Sequence, residues 1–248
     1  MVFLADSITY GFKSTHGNGY RGGLFDALSG KNNKVDMIGS VRSGSMQDNE
    51  HQGHSGFKID EVSSAMGNTL SQRPNVVLLH AGTNDMDRND NVVDAPNRLG
   101  RLIDKILAGS PDAVVFVSKL IPAGTAATQA RIVDFNTALP DIVAKRVADG
   151  HKVFLVDGYS PLSFVAGDFA DGLHPNDQGY DKMASTWRKA IAYAHNHLKW
   201  ISKPGPGNGN EGPELVTCDK LPIWHPNGEI ANGAGLGKDL YPDVLCGM

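Results

Sequence analysis

The sequence predicts an α/β fold: a three-layer α/β/α sandwich built on a five-stranded parallel sheet. Three observations lead there. Short β-branched runs alternate along the chain with longer segments of helical period, the pattern of repeated β-α units. The strand candidates are nearly continuous apolar runs, as expected of strands covered on both faces. A chain of 248 residues with 40% hydrophobic content is long enough to bury one full core.

The elements follow in order. The first strand is expected at 2–4, within "MVFLADSITYGF", and Gly11 reads as the turn after it. A helix is expected at 20–28, a second strand at 35–38 and a helix at 59–70. The run VVLLH predicts a third strand at 76–80, followed by a helix at 92–108 and a fourth strand at 114–118. A helix at 129–148 should kink at Pro140, because proline lacks the amide that a helix interior needs. The fifth strand is expected at 153–156. In the last helix Tyr180, Met183, Ala184, Trp187, Ile191, Ala194 and Leu198 recur at helical spacing, with Asn176 or Asp177 as its cap. Beyond Ile201 the stretch KPGPGNGNEGPE cannot pack a core and reads as a linker. The expected organisation is therefore a domain at 1–201, a Pro/Gly/Asn-rich linker at 202–214 and a tail at 215–248 too poor in apolar residues to fold alone. Cys218 and Cys246 both fall in that tail, where a disulfide would close a loop outside the main core.

Composition removes several function classes. A net charge of −4 offers no electrostatic footprint for nucleic acid or an anionic membrane surface. No apolar stretch approaches the roughly 20 residues of a membrane span. No signal peptide is visible, since the first strand begins at once where a basic head and apolar stretch would stand.

Four short stretches carry candidate chemistry. Ser7 stands where the first strand empties into a loop, the edge at which open α/β sheets keep their reactive groups. A serine there serves as a nucleophile, a phosphate-binding hydroxyl or a helix cap. "DGLHPND" places Asp171 and His174 three residues apart, before the last helix. In acyl transfer, histidine takes the serine proton and a carboxylate holds the imidazole in the right tautomer, although the same residues alone make an ordinary turn. "HAGTND" puts Asn84 at the end of the middle strand, where its amide can donate to an oxyanion or simply stabilise a tight turn. "HQGHSGF" supplies Gly56, whose amide is a second candidate donor. Four groups at the ends of successive strands fall on one edge of one sheet, where a single pocket can collect them.

Other signals weigh toward structure. The HxxH of His51 and His54 has no evident third ligand, so no metal is expected. In "DMDRNDN", Asp85, Asp87 and Asn89 have calcium-loop spacing, but Asp90 replaces the turn glycine and Pro96 the bidentate Glu. That stretch is expected to be a solvated acidic loop rather than an EF-hand-like site, with a calcium site of non-EF geometry as the alternative. Asp6 is assigned a structural role. Tyr20 and Arg21 are candidates to line a substrate site, against the alternative of a helix start with an exposed Arg.

ADSIT, the glycine of HSG, GTND and DGLHP resemble the four ordered blocks of the SGNH (GDSL-type) hydrolase superfamily. The phrases GNGYRGGL, DMIGSVRSG, HQGHSGFKID, NVVLLHAGTND and DGLHPNDQGYDKMA resemble its branch called carbohydrate esterase family 3, which includes acetyl xylan esterases. The resemblance covers roughly the first 200 residues and implies the flavodoxin-like sandwich of that superfamily. It also implies Ser7 as nucleophile, His174 as base and acid, Asp171 as orienting carboxylate, and the Ser7 and Gly56 amides with the Asn84 side chain as oxyanion hole. It implies no metal or organic cofactor. One departure stands out: the first block normally reads GDS, and Ala5 here puts a methyl group where crowding of the turn is expected.

The expected function is thus a serine esterase acting on short acyl groups, acetyl foremost, of a small-molecule or glycan ester, as a monomer. Two rivals are a carbohydrate-binding protein that keeps the pocket but has lost turnover, and a flavodoxin-like phosphate or flavin binder. The second would leave Asp171, His174 and Asn84 without a shared task. Extracellular location is implied only by the resemblance. "IWHPNGEIANGAG" resembles the opening of propeller-type repeats that follow such hydrolases in some secreted chains.

Overall fold

The computed structural model describes residues 1–29, 34–157 and 164–201, with the backbone of 223–224 and 230–231. The chain runs β1 (Val2–Ala5), α1 (Ser7–Tyr10), α2 (Tyr20–Leu28), β2 (Val41–Arg42), β3 (Glu50–Gly53), α3 (Ile59–Ala65), α4 (Gly67–Ser71) and β4 (Val76–His80). It continues through α5 (Thr83–Asp87), α6 (Ala95–Gly109), β5 (Val114–Ser118), α7 (Ala126–Ala148), β6 (Val153–Val156) and α8 (Asp177–Asn196). Two short strands, β7 (Ile223–Trp224) and β8 (Ile230–Ala231), follow.

Five of these strands form a parallel sheet in the order β3-β1-β4-β5-β6. Counted among themselves the order is 2-1-3-4-5, the doubly wound flavodoxin-like arrangement. Antiparallel β2 extends one edge, and β7 and β8 extend the other, so the sheet is wider than the five strands expected. Alternate residues feed two cores. Leu4, Leu79, Val117 and Leu155 face Val62, Leu99, Ile103 and Leu139 of the helices on one side. Phe3, Leu78, Phe116 and Phe154 face Leu24, Met183 and Trp187 on the other. Burial of both faces explains why the parallel strands β1, β4, β5 and β6 read as unbroken apolar runs.

One strand is corrected. The apolar run at 35–38 forms no strand; Ile38 makes a single parallel bridge to Val2 and donates its amide to the Met1 carbonyl. The edge beside Leu4 and Ala5 is taken instead by Gln52 and Gly53. The two segments cross closely: a Cβ on Gly39 would lie 2.0 Å from the His51 carbonyl oxygen. Met37 and Ile38 still bury in the two cores. Their hydrophobicity therefore reports burial, while the ladder goes to a polar tetrapeptide, EHQG.

The helices differ in smaller ways. The segment at 59–70 divides at Met66, before Gly67, whose helix propensity is poor. Helix α6 starts at Ala95 with a proline in its first turn, where the missing amide costs nothing. Helix α7 runs through Pro140 as one element, capped by the Thr125 hydroxyl. Asn176 caps α8, accepting from the Gly179 amide at 3.1 Å. The linker at 202–214 and both cysteines lie outside the described residues.

Candidate active site

The site begins where β1 ends. Asp6 is fully buried, and its Oδ1 accepts the Ile8 amide at 3.0 Å, capping the short helix α1. Ser7, the first residue of that helix, is itself buried to 4% exposure. Burial pushes the Asp6 carboxyl up to about 6, against the opposing pull of the Ile8 amide, the Thr83 hydroxyl and the His174 ring. Its structural assignment agrees with this placement.

Ala5 is fully buried in β1, between Gly53 and His80, and is absent from the residues with positive φ. Nothing in its backbone conformation requires glycine. The close approach falls on its neighbour Gly53, where a Cβ would lie 2.6 Å from the Tyr10 amide nitrogen.

From the far end of the chain, the loop before α8 brings His174 to the serine. The Ser7 hydroxyl lies 2.9 Å from His174 Nε2. His174 Nδ1 lies 3.0 Å from Asp171 Oδ2. The Leu173 and His174 backbone amides both donate to Asp171 Oδ1 at 2.8 Å. Burial alone would raise the Asp171 carboxyl, but these amides and the imidazole outweigh it and hold the group below the usual carboxylate range. A residue separation of 167 in the chain is thus closed to one hydrogen bond.

The other two loops reach the same sheet edge. The His54 amide donates to the Ala5 carbonyl at 3.0 Å, and the Phe57 amide to the His54 carbonyl at 3.1 Å. Gly56 sits in that turn at φ 83°, a conformation glycine adopts without steric cost. Asn84 Nδ2 donates to the Phe57 carbonyl at 2.9 Å, tying the GTND loop to the HSG loop. One amide hydrogen of Asn84 is engaged there, and the group carries a second.

Tyr20 and Arg21 are placed differently from a substrate-lining pair. Both are fully buried, so the alternative of an exposed Arg also fails. The Tyr20 hydroxyl pairs with Thr9 Oγ1 at 2.6 Å, and burial pushes that phenol well up. Arg21 donates to the carbonyls of Thr9, Tyr10, Gly17, Ser43 and Asn49. Burial without a carboxylate partner lowers the guanidinium to about 10. The pair holds the serine loop from beneath.

His51 belongs to the same scaffold. Its Nδ1 accepts the Gly53 amide at 2.9 Å, which leaves Nε2–H to donate to Ser43 Oγ at 2.7 Å. Burial lowers this imidazole to about 3. His54 bonds Gln52 Oε1 at 3.0 Å and stacks on Phe57. Within DMDRNDN the carboxylates diverge: Asp85 pairs with Arg98 at 2.7 Å and accepts the Ile59 amide, whereas Asp87 accepts from Thr128. Asp85 is buried rather than solvated, in contrast to the acidic surface loop expected.

Several contributors were invisible in sequence. Phe12 packs its ring against His174 at 4.8 Å, and Gln52 orients His54 from an unpredicted strand. Only the order of the four blocks could have pointed to such neighbours, because their contacts cross between loops.

A serine, an imidazole and a carboxylate thus stand hydrogen-bonded in series at the carboxyl edge of a doubly wound sheet, an arrangement compatible with an ester hydrolase. The GDSL-like Lipase/Acylhydrolase family model matches residues 4–182, and the chain belongs to that family. Among solved structures it resembles a Clostridium thermocellum family 3 carbohydrate esterase, with 32% identity, a TM-score of 0.67, and coverage of 77% of this chain and 93% of that one. A multidomain esterase of Ruminococcus flavefaciens is 28% identical over 87% of this chain and 32% of its own length. A putative endoglucanase X of Acetivibrio thermocellus is 34% identical over 53% of this chain and 56% of its own length. The chain thus spans about a third and little more than half of these two relatives.

Proposed function

We propose that the chain is a serine-dependent carboxylic ester hydrolase that removes short acyl groups, acetyl foremost, from acetylated sugars or xylan-type glycans. The observation that carries this reading is the 2.9 Å contact of Ser7 Oγ with His174 Nε2, continued to Asp171 at 3.0 Å. The relative named as a family 3 carbohydrate esterase supports the substrate class.

In this reading Ser7 attacks the ester carbonyl while His174 accepts its proton, and Asp171 steadies the imidazolium that forms. The Ser7 and Gly56 amides and the second hydrogen of Asn84 receive the oxyanion. His174 then protonates the departing alcohol. The acyl group remains on Ser7 until a water, activated by the same imidazole, releases it as the acid. Residues 1–201 carry the activity as a monomeric unit outside the cell, with 202–214 as a linker to the tail.

Purified protein should hydrolyse a short-chain aryl acetate, with rates falling steeply as the acyl chain lengthens. Ser7→Ala and His174→Ala should each lower kcat by about 10⁴ or more. A preference for long acyl chains, or full activity in Ser7→Ala, would refute the assignment.

A further inference from the structure

Phe12 is a large apolar side chain left 42% exposed, immediately beside the reactive groups. Its amide donates to the Ser7 carbonyl at 3.0 Å, and its own carbonyl accepts the Tyr180 hydroxyl at 2.7 Å. The next residue, Lys13, turns the chain at φ 69°, a strained angle for a side chain with a Cβ. Ser14 Oγ donates to the Gly11 carbonyl, and Thr15 is clasped to Asp177 at the start of α8. The loop therefore holds the Phe12 ring in the open by construction.

The direction of that ring has a chemical consequence. In ester hydrolysis the carbonyl oxygen turns toward the oxyanion donors, whereas the leaving oxygen must lie within reach of His174 Nε2 to receive its proton. The leaving alcohol therefore occupies the imidazole side of Ser7. Phe12 is on that side, its ring centroid 4.8 Å from that of His174 in an edge-to-face arrangement. The Lys13 ammonium lies over one face of the Phe12 ring, 5.2 Å from its centroid, and leaves the other face for a ligand while adding a donor beside it. A pyranose ring has the matching character, with C–H bonds on its faces and hydroxyls around its edge.

Resting on the esterase reading above, we propose that Phe12 is the residue that selects the alcohol half of the substrate, receiving a sugar ring against its aromatic face. It makes no demand on the acyl half. The residue governs which alcohol is accepted and leaves the acyl chain-length preference unchanged.

The test compares kcat/KM for two acetates that share the acyl group, acetylated methyl β-xylopyranoside and ethyl acetate. Phe12→Ala and Phe12→Leu should each lower the sugar-to-ethyl ratio by about 10-fold or more, chiefly through KM. Phe12→Tyr, which keeps the ring face, should retain the parent ratio. The leucine variant preserves apolar bulk, so it reports even where the alanine variant folds poorly. Equal losses on both acetates, with a displaced pH profile of kcat/KM, would overturn the proposal and leave Phe12 as a support of His174. A ratio unchanged in the leucine variant would overturn it too. Folded parent protein inert toward every acetate would instead strike the esterase reading itself.

Discussion

Asp6 sits directly behind the nucleophile and performs two opposed services. Its Oδ1 caps α1, but the carboxyl is fully buried and its ordinary acidity is lost, rising to about 6. A carboxyl raised in this way binds its proton more tightly in the folded than in the unfolded chain. The fold is therefore favoured at low pH, and ionisation between about 4 and 6 weakens it. Asp6→Asn keeps an oxygen for the Ile8 amide and cannot ionise. It should be more stable than the parent at pH 8 by about 1–3 kcal/mol, with the advantage vanishing near pH 4. Thermal melts across that range check the claim; a gain independent of pH would contradict it. This behaviour was only half legible. The position of Asp6 after an apolar run suggested structure, but the Thr83 hydroxyl that opposes its raised pKa arrives from α5, far away in the chain.

The helices matter because they hold loops at a common height. Asp85, on α5, accepts the first amide of α3 and pairs with Arg98 of α6. Arg98 also donates to the Asp90 and Asn91 carbonyls at 2.8 and 3.3 Å. One buried ion pair thus locks three helices around the Asn84 to Phe57 contact. Arg98→Met should leave the Asp85 charge buried and uncompensated, costing about 3–5 kcal/mol in urea unfolding, with Asp85→Asn in the same chain restoring part of it. Hydrolysis should fall as well, since Asn84 shares α5 with Asp85. A stability loss within the range of an ordinary surface change would remove this account. In sequence Asp85 reads as part of a solvated loop and nothing singles out Arg98, because a pairing thirteen residues apart has no local signature.

At the scale of the molecule, the sheet order decides which strand ends meet. Placing β1 between β3 and β4 brings the ADSIT, HSG and GTND loops to one edge, and α8, packed with α2 against one face, returns DGLHP to it. Among the described residues, the core between the sheet and α8 reaches Trp200 and Ile201. A chain ending at residue 201 should unfold in a single cooperative transition and keep its hydrolytic activity, because the five parallel strands, α8 and every proposed catalytic group precede that point. Calorimetry and an aryl acetate assay on the shortened chain test this. Loss of the folded state would show that the β7 backbone pairing with Val156 is required.

Read alone, the chain determined its class, four of the five parallel strands and the last helix, with its cap narrowed to Asn176 or Asp177, and it marked four polar blocks as candidates for the site. Each of these is written locally, in apolar runs, in helical period or in short polar clusters. Tertiary structure decided the rest: EHQG took the edge that an apolar run was expected to hold, Arg21 vanished into carbonyls, and Phe12 came to rest on His174. The physical reason is the same throughout. Periodicity encodes which side chains must leave water, whereas partners for a ladder, a buried cation or a reactive ring are chosen by segments far away in the chain.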